Sequence, residues 1–410
     1  MQKSSRARRT AGWLLSALVL TLHFSPQAQF LRSLPDSLSL ASGQSAVLEA
    51  PYPLMVEVAQ ADASMAETLH APGAQTTATI SLFGLVPLRE MAVDISDDLR
   101  LYPGGQAVGV ALHTKGVLVV GTSDLTGAHS PARTAGIKPG DVITEAGGKA
   151  IGSTEELTAL VAALGEAPLP VTILRGQSTL KLTLTPRRDG QSGQIRIGAW
   201  VRDSTAGVGT LSFYGEIHEG KGMRYGALGH AITDTDTQQV LTVGAGEIML
   251  ADIVDVRRGL SGTPGELKGS FLREGRVMGT IERNNVFGIY GGMTKPPAHP
   301  LYPDGLPIGR RDAVHTGPAS ILCTVGAEGM QEYTVEIVEV TRQTMPAQRS
   351  MVLRVTDERL LQLTGGIVQG MSGSPIIQDG RLIGSVTHVF VNDPTMGYGI
   401  YIEHMLDAAG

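Results

Sequence analysis

The sequence predicts a mainly β protein of several domains, led by one apolar helix at its amino terminus. Three observations carry this. At 410 residues the chain exceeds one ordinary domain of about 100–200 residues. Its 42 % hydrophobic and 18 % charged residues supply a core and exclude a disordered chain. Its 52 glycines, roughly double the usual share of about 7 %, fall singly between short apolar runs with no G-X-Y period. That pattern excludes collagen and reads as the turns of a β-rich protein.

The first element is the helix. Lys3, Arg6, Arg8 and Arg9 precede Ala11 to Phe24, a run without formal charge. At ~1.5 Å per residue this run is about 21 Å long, and the uncharged interval from Thr10 to Leu31 about 33 Å, against a hydrocarbon core of about 30 Å. Residues 1–31 are therefore expected to be a signal peptide or a signal-anchor, with the basic flank orienting the rest of the chain away from the cytoplasm. Pro26-Gln27-Ala28 makes a poor small-x-small cleavage site, which favours the anchor. Net charge is −6; the first ten residues contribute +4, leaving −10 on the remainder. Nucleic acid is excluded as a partner, because phosphate binding needs a concentrated basic patch. Cys323 is the only cysteine, so an internal disulfide and a cysteine-rich metal site are excluded too.

After a polar Ser/Gln-rich tether, residues 46–100 run as short β-like stretches such as Leu54 to Val58 and Thr79 to Phe83, separated by Pro51, Pro53, Pro72-Gly73 and Gly84. They predict a small β module without chemistry of its own. Pro103-Gly104-Gly105 marks the next boundary, and residues 105–187 form the next unit. Here Val108 to Leu112 and Gly116 to Gly121 read as strands. Ser153 caps a helix whose Glu156 can return the bond, and Leu157, Leu160, Val161 and Leu164 recur at helical spacing. Val171 to Leu174 and Leu180 to Leu184 close the unit as strands. The string Ser130-Pro131-Ala132-Arg133-Thr134-Ala135-Gly136-Ile137-Lys138-Pro139-Gly140-Asp141-Val142-Ile143 resembles the signature of the bacterial PDZ domains of exported proteases. That resemblance implies α+β architecture and a groove where a peptide tail adds as a strand beside the capped helix. The loop at Val108, Gly109 and Val110 and the helix face carrying Leu157 and Val161 are the candidate groove; the alternative for each residue is a place in the core.

Residues 189–410 return to short glycine-punctuated strands, a length and texture that fit two packed β-barrels or a large sandwich. Within them Gly370-Met371-Ser372-Gly373-Ser374-Pro375 precedes a hairpin at Asp379-Gly380. Glycines on both sides of Ser372 permit a tight turn that lifts its hydroxyl and aims backbone N–H groups at one point, as an acyl-transfer nucleophile requires. The hexapeptide resembles the nucleophile loop of chymotrypsin-fold serine proteases. On that match Ser372 is the nucleophile and the N–H groups of Gly370 and Ser372 form the oxyanion hole; Ser374 is the competing serine. For the base, His230 stands among small residues in Tyr225 to Asp234, and His388 on the strand after the hairpin is its rival, expected to line the substrate cleft. Asp357 is one candidate for the orienting acid, with Asp234, Asp236, Asp252 and Asp255 as others, because only three-dimensional geometry defines a triad.

The order of parts (anchor, β module, PDZ unit, G-M-S-G-S-P peptidase) resembles the stage IV sporulation protein B family of serine peptidases. The match includes Leu82-Phe83-Gly84, Pro103-Gly104-Gly105-Gln106, Gly229-His230 and the stretch from Gly366 to Met405. The resemblance implies a chymotrypsin-like double barrel with a triad at His230, Asp357 and Ser372, and no metal or organic cofactor. It also implies a substrate: the extracytoplasmic part of a membrane-bound regulator, cut between forespore and mother-cell membranes to trigger intramembrane proteolysis and a late sigma factor. Self-cleavage near the amino terminus and peptide tails bound by the PDZ unit complete that expectation. The rival functions are a general envelope quality-control protease and a non-catalytic PDZ scaffold.

Overall fold

The computed structural model describes residues 25, 27–28, 30, 37–41, 51–58, 74–96 and 99–409, apart from 218–219, 221, 272–275 and 344–345. The expected amino-terminal helix lies outside the described residues; among those described, no helix is long and apolar enough to cross a membrane. The chain divides into two units, residues 1–99 and 100–410. In the first, Ser37–Ala41, Leu54–Val58, Ala74–Leu82 and Val86–Ser96 form one four-stranded sheet in the order first, fourth, third, second.

The second unit begins with β1 (Arg100–Pro103), β2 (Ala107–Thr122), β3 (Val142–Ala146), β4 (Leu169–Arg175) and β5 (Ser178–Leu184). β6 (Ala199–Gly215), β7 (Arg224–Ala227), β8 (Val243–Leu250), β9 (Val277–Thr280) and β10 (Gly288–Gly292) follow. Six of these strands make a ring. β2 pairs β6, β6 pairs β7 and β7 pairs β10; a bridge from Met293 to Gly279 joins β9, which pairs β8, and β8 returns to β2. Val108, Val110, Leu112, Leu211, Tyr225 and Ile248 fill its interior. A second barrel is built from β11 (Gly317–Thr324), β12 (Met330–Val340), β13 (Met351–Val355), β14 (Pro375–Gln378), β15 (Arg381–Phe390) and β16 (Asp393–Tyr401), closed in the order β11-β12-β13-β16-β15-β14. Its strands alternate with period two, Tyr333, Val335 and Ile337 of β12 pointing inward. Asp379 and Gly380, both at positive φ, make the predicted two-residue turn between β14 and β15.

The expected domain boundaries need correction. β2 and β6 are 16 and 17 residues long, and each serves two bodies. Residues 107–112 of β2 pair with 205–210 of β6 inside the first barrel, whereas 118–122 pair with 199–202 in the PDZ sheet β5-β4-β3-β2-β6. The first barrel therefore takes β2 from ahead of the PDZ helices and β6 from after them. The passage from one body to the other lies in a bulge: Gly116 has φ +103, and the Thr114 hydroxyl bonds the carbonyls of Gly116 and Asp203 at 2.6 and 3.1 Å. In the PDZ unit, α1 (Pro131–Thr134) starts at the Ser130 cap with Pro131 in its first turn, and α2 (Thr154–Leu164) starts at Ser153. The Ser153 hydroxyl accepts from Glu156 N–H as predicted, but the Glu156 carboxylate accepts from Gly152 N–H at 2.8 Å, one residue before the expected donor.

Candidate active site

The loop Gly370 to Pro375 leads from α3 (Glu358–Thr364) into β14. Gly370 and Gly373 have φ of +96 and +95, a region glycine enters at little cost. Thr210 of β6 fastens the loop from the first barrel: its N–H donates to Ser372 O at 3.0 Å and its hydroxyl to Gly370 O at 2.8 Å. Gly373 packs more tightly than Gly370. A Cβ there would lie 2.1 Å from Thr210 O and 2.6 Å from Leu228 N, so only glycine fits. The N–H groups of Met371, Gly373 and Ser374 donate to Val368 O, Val386 O and Met371 O. Those of Gly370 and Ser372 meet no protein acceptor among the described residues, which leaves two donors free on the nucleophile loop. Ser374 is fully buried and its hydroxyl is spent on Met371 O at 2.7 Å. Ser372 is half-buried, and its hydroxyl has no protein partner among the described residues.

His230 follows β7 through Leu228 and Gly229, at φ +71 and +68. A leucine in this conformation costs about 1–2 kcal/mol. Its side chain lies over Gly209, where a Cβ would stand 2.0 Å from Leu228 Cδ2, and so holds the turn in place. Gly229 rests on β15, where a Cβ would lie 3.1 Å from Ser385 Oγ and 3.2 Å from Val386 O. The nucleophile loop, the histidine turn and the start of β15 thus meet where the barrels touch. His230 is half-buried, with Nδ1 2.8 Å from Ala231 O. A proton on Nδ1 donates to that carbonyl and leaves the Nε2 lone pair free. Burial lowers the His230 pKa below its ordinary value, with the Ala231 carbonyl pulling the other way. The imidazole is accordingly neutral at pH 7. The His388 ring lies 5.3 Å from it, centroid to centroid. Burial, followed by His230 and Arg349, brings His388 down to about 4; the residue is exposed, so solvent screens part of that effect. No hydrogen bond joins Ser372 to His230 in this structure. Such bonds are often long in an unliganded peptidase and tighten with substrate.

No carboxylate is hydrogen-bonded to His230 among the described residues, Asp357 of the expected triad included. Asp357 caps α3, accepting from the N–H groups of Arg359 and Leu360. It also takes Arg359 Nε at 3.1 Å, Arg359 Nη2 at 2.8 Å and Thr334 N–H at 3.3 Å. With both oxygens committed, it does not meet His230. An aspartate just before an apolar helical run is a helix-cap signal in its own right, and here that signal prevails. Asp234 and Asp236 bind Arg202, Asp252 binds Arg276, and Asp255 binds Lys268. Among the described residues the group that orients His230 is a backbone carbonyl.

The peptide groove also needs redrawing. Val108, Gly109 and Val110 lie in the barrel half of β2 and are paired on both edges, Val108 with Gly209 and Leu250, Val110 with Gly207 and Ile248. A strand with both edges occupied cannot accept a third. Leu157 and Val161 do face a groove, a cavity of about 300 Å³ whose other wall runs from Gln194 to Val201. There β6 is paired only with β2, so its second edge is open beside α2. At the head of that edge the N–H groups of Ile197 and Gly198 meet no protein acceptor among the described residues. Ile197-Gly198-Ala199-Trp200, an apolar-glycine-apolar step after a polar loop, was the signal available in the sequence.

Two six-stranded barrels that meet at a serine loop and a histidine turn are the arrangement of chymotrypsin-like serine peptidases, and this one carries a PDZ domain inserted in the chain between two strands of its first barrel. The chain belongs to the SpoIVB peptidase S55 family, whose model matches residues 193–406; a PDZ domain model matches residues 126–175. The family is one of peptidases. Among curated proteins it is similar to a candidate zinc metalloprotease of Treponema pallidum, 29 % identical over 132 residues, 29 % of this chain and 28 % of that protein. It is also similar to metalloprotease MmpA of Caulobacter vibrioides, 36 % identical over 75 residues, 17 % of this chain and 19 % of that protein. The chain thus spans under a third of either relative. Among solved structures, the Rv3671c protease from M. tuberculosis in its active form is 15 % identical with a TM-score of 0.28, over 50 % of this chain and 75 % of that one. The HtrA-type protease AlgW with a tripeptide is 15 % identical with a TM-score of 0.28, over 49 % and 54 %.

Proposed function

We propose that this peptidase is exported and membrane-associated. It cuts itself and the extracytoplasmic part of a membrane-bound regulator between forespore and mother-cell membranes, triggering intramembrane proteolysis and late sigma-factor activation in sporulation. The observation that carries the catalytic part is the pair of free N–H groups at Gly370 and Ser372, beside a free Ser372 hydroxyl and a neutral His230. Membership of the family, the apolar segment at residues 11–24 and the PDZ domain support the biological part.

His230 Nε2 takes the Ser372 proton as Oγ attacks the scissile carbonyl carbon. The N–H groups of Gly370 and Ser372 hold the oxyanion, and the imidazolium passes its proton to the leaving amine as the C–N bond breaks. Water, deprotonated by the same Nε2, then attacks the acyl-serine ester; the peptide acid leaves and Ser372 regains its proton. The Ala231 carbonyl fixes the His230 tautomer, the task a carboxylate performs in a triad.

Full-length protein and its Ser372→Ala variant are compared for self-cleavage and for cleavage of the ectodomains of membrane-bound regulators. Loss of both activities in the variant, with PDZ peptide binding retained, is the expected result. Cleavage surviving in Ser372→Ala overturns the nucleophile, and broad digestion of unfolded proteins favours the quality-control reading instead.

A further inference from the structure

His230 opens a hairpin that is gripped from the PDZ side. Residues 232–241 fold back on themselves: Leu241 N–H donates to Ile232 O, and Thr233 bridges Val240. Asn284 clamps both legs at the base, its amide donating to Ile232 O and Leu241 O at 2.8 Å. Further out, the Asp234 side chain is completely buried. Its Oδ1 accepts from Asp236 N–H, Thr237 N–H and the Thr237 hydroxyl. Its Oδ2 meets Arg202 Nη1, and Arg202 Nη2 reaches Asp236 at 3.0 Å. Arg202 lies on β6, two residues beyond Trp200 of the peptide groove. Gln239 of the same hairpin lies against Gly140 of the PDZ turn, where a Cβ would come within 2.2 Å of its amide nitrogen.

We propose that Arg202 is a positioning residue for the peptidase reaction: through Asp234 it fixes the hairpin and hence the Ala231 carbonyl that orients His230. Only Ile232 and Thr233 separate the buried carboxylate from Ala231. Burial works against the charge on Asp234, and the bonds from Thr237 and Arg202 outweigh it, holding the carboxyl below its ordinary pKa. Without the guanidinium, a buried carboxylate keeps its charge only by moving towards water, and the hairpin moves with it. A shift of this kind at the orienting carbonyl misaims the imidazole without touching the nucleophile or the groove.

The proposal rests on His230 as the base, and the test separates the two. Arg202→Met, Asp234→Asn and Arg202→Lys are made in the full chain. Each is assayed on a peptide too short to reach the PDZ groove, for kcat, KM, the acidic limb of the pH–rate profile and Tm. Arg202→Met and Asp234→Asn each lower kcat about tenfold, with KM within about twofold. Both move the acidic limb upward, towards an ordinary histidine value of about 6.5, as water reaches the ring. The double variant is no worse than either single one. Arg202→Lys keeps the charge but cannot hold Asp234 and Asp236 together, and falls between; if Arg202→Met does not fold, a Lys variant with an unmoved limb overturns the proposal. A fall in Tm with kcat and limb unchanged overturns it as well, since that is a merely structural contact. His388 and Arg349, the ionisable groups next to the His230 ring and just beyond it, are untouched throughout. Cleavage that persists in His230→Ala would sink the underlying reading rather than this one.

Discussion

The second barrel is one unbroken run of chain from Gly317 to Tyr401, whereas the first is gathered from strands between Ala107 and Met293 with the PDZ domain set into the gap. Each contributes one side of the candidate site. The nucleophile loop belongs to the contiguous barrel and the histidine turn to the interrupted one. The difference shows how a binding module can be joined to catalysis without a linker: two strands are simply long enough to belong to both.

The comparison breaks most readily by cutting the chain. A chain starting at Asp189 lacks β1 and β2, so the first barrel cannot close. We expect no Ser372-dependent cleavage and no native melting transition from it, whereas a chain starting at Arg100 retains both. An active chain from Asp189 would show that the PDZ domain precedes the peptidase rather than interrupting it.

Next in size is the joint between the barrels. Gly373→Ala forces a Cβ against Thr210 O at 2.1 Å and Leu228 N at 2.6 Å, at φ +95. Cleavage should fall at least about 100-fold while near-ultraviolet dichroism shows both barrels folded.

Asp357 sharpens the assignment of sides. If it served as the acid, Asp357→Asn would cut kcat about 10⁴-fold, as loss of the acid does in a true triad. In this geometry the substitution keeps the cap and loses the ion pair with Arg359. We expect kcat within about threefold and a loss of about 1 kcal/mol in denaturant melts. The smallest effect concerns pH. The neutral imidazole is the working form, and a pKa below the ordinary value keeps it neutral further into acid. The rate at pH 6 should keep more of its neutral maximum than the roughly one quarter left to a histidine titrating near 6.5.

The two barrels also differ in how much their sequence disclosed. The Asp379-Gly380 turn and the glycines around Ser372 follow from local rules, and each is met by local geometry in the second barrel. The longer PDZ helix, α2, was legible for the same reason: a cap and a 3.6-residue period are short-range signals. What eluded sequence reading was long-range. An alternating run such as Val108 to Val120 looks the same whether it serves one sheet or two. Its division at Gly116 depends on strands roughly 90 residues away. The orienting carbonyl of Ala231 and the hold of Arg202 on Asp234 have no motif, because backbone groups and ion pairs across a fold leave no spacing to read.

The interrupted barrel also sets an order of assembly. Val108 pairs with both Gly209 and Leu250, so this early strand waits for partners made long afterwards. At about 5–20 residues per second, Leu250 is synthesised about 7–28 s after Val108. The second barrel has no such delay, since its rung from Ser320 to Ile377 lies within one short stretch. Translation therefore delivers the serine-bearing half last but lets it close at once, while the histidine-bearing half begins first and stays an open, unpaired edge for most of synthesis. Such a chain needs its hydrophobic strands shielded in transit, and it cannot cut anything, itself included, until nearly its last strand is made.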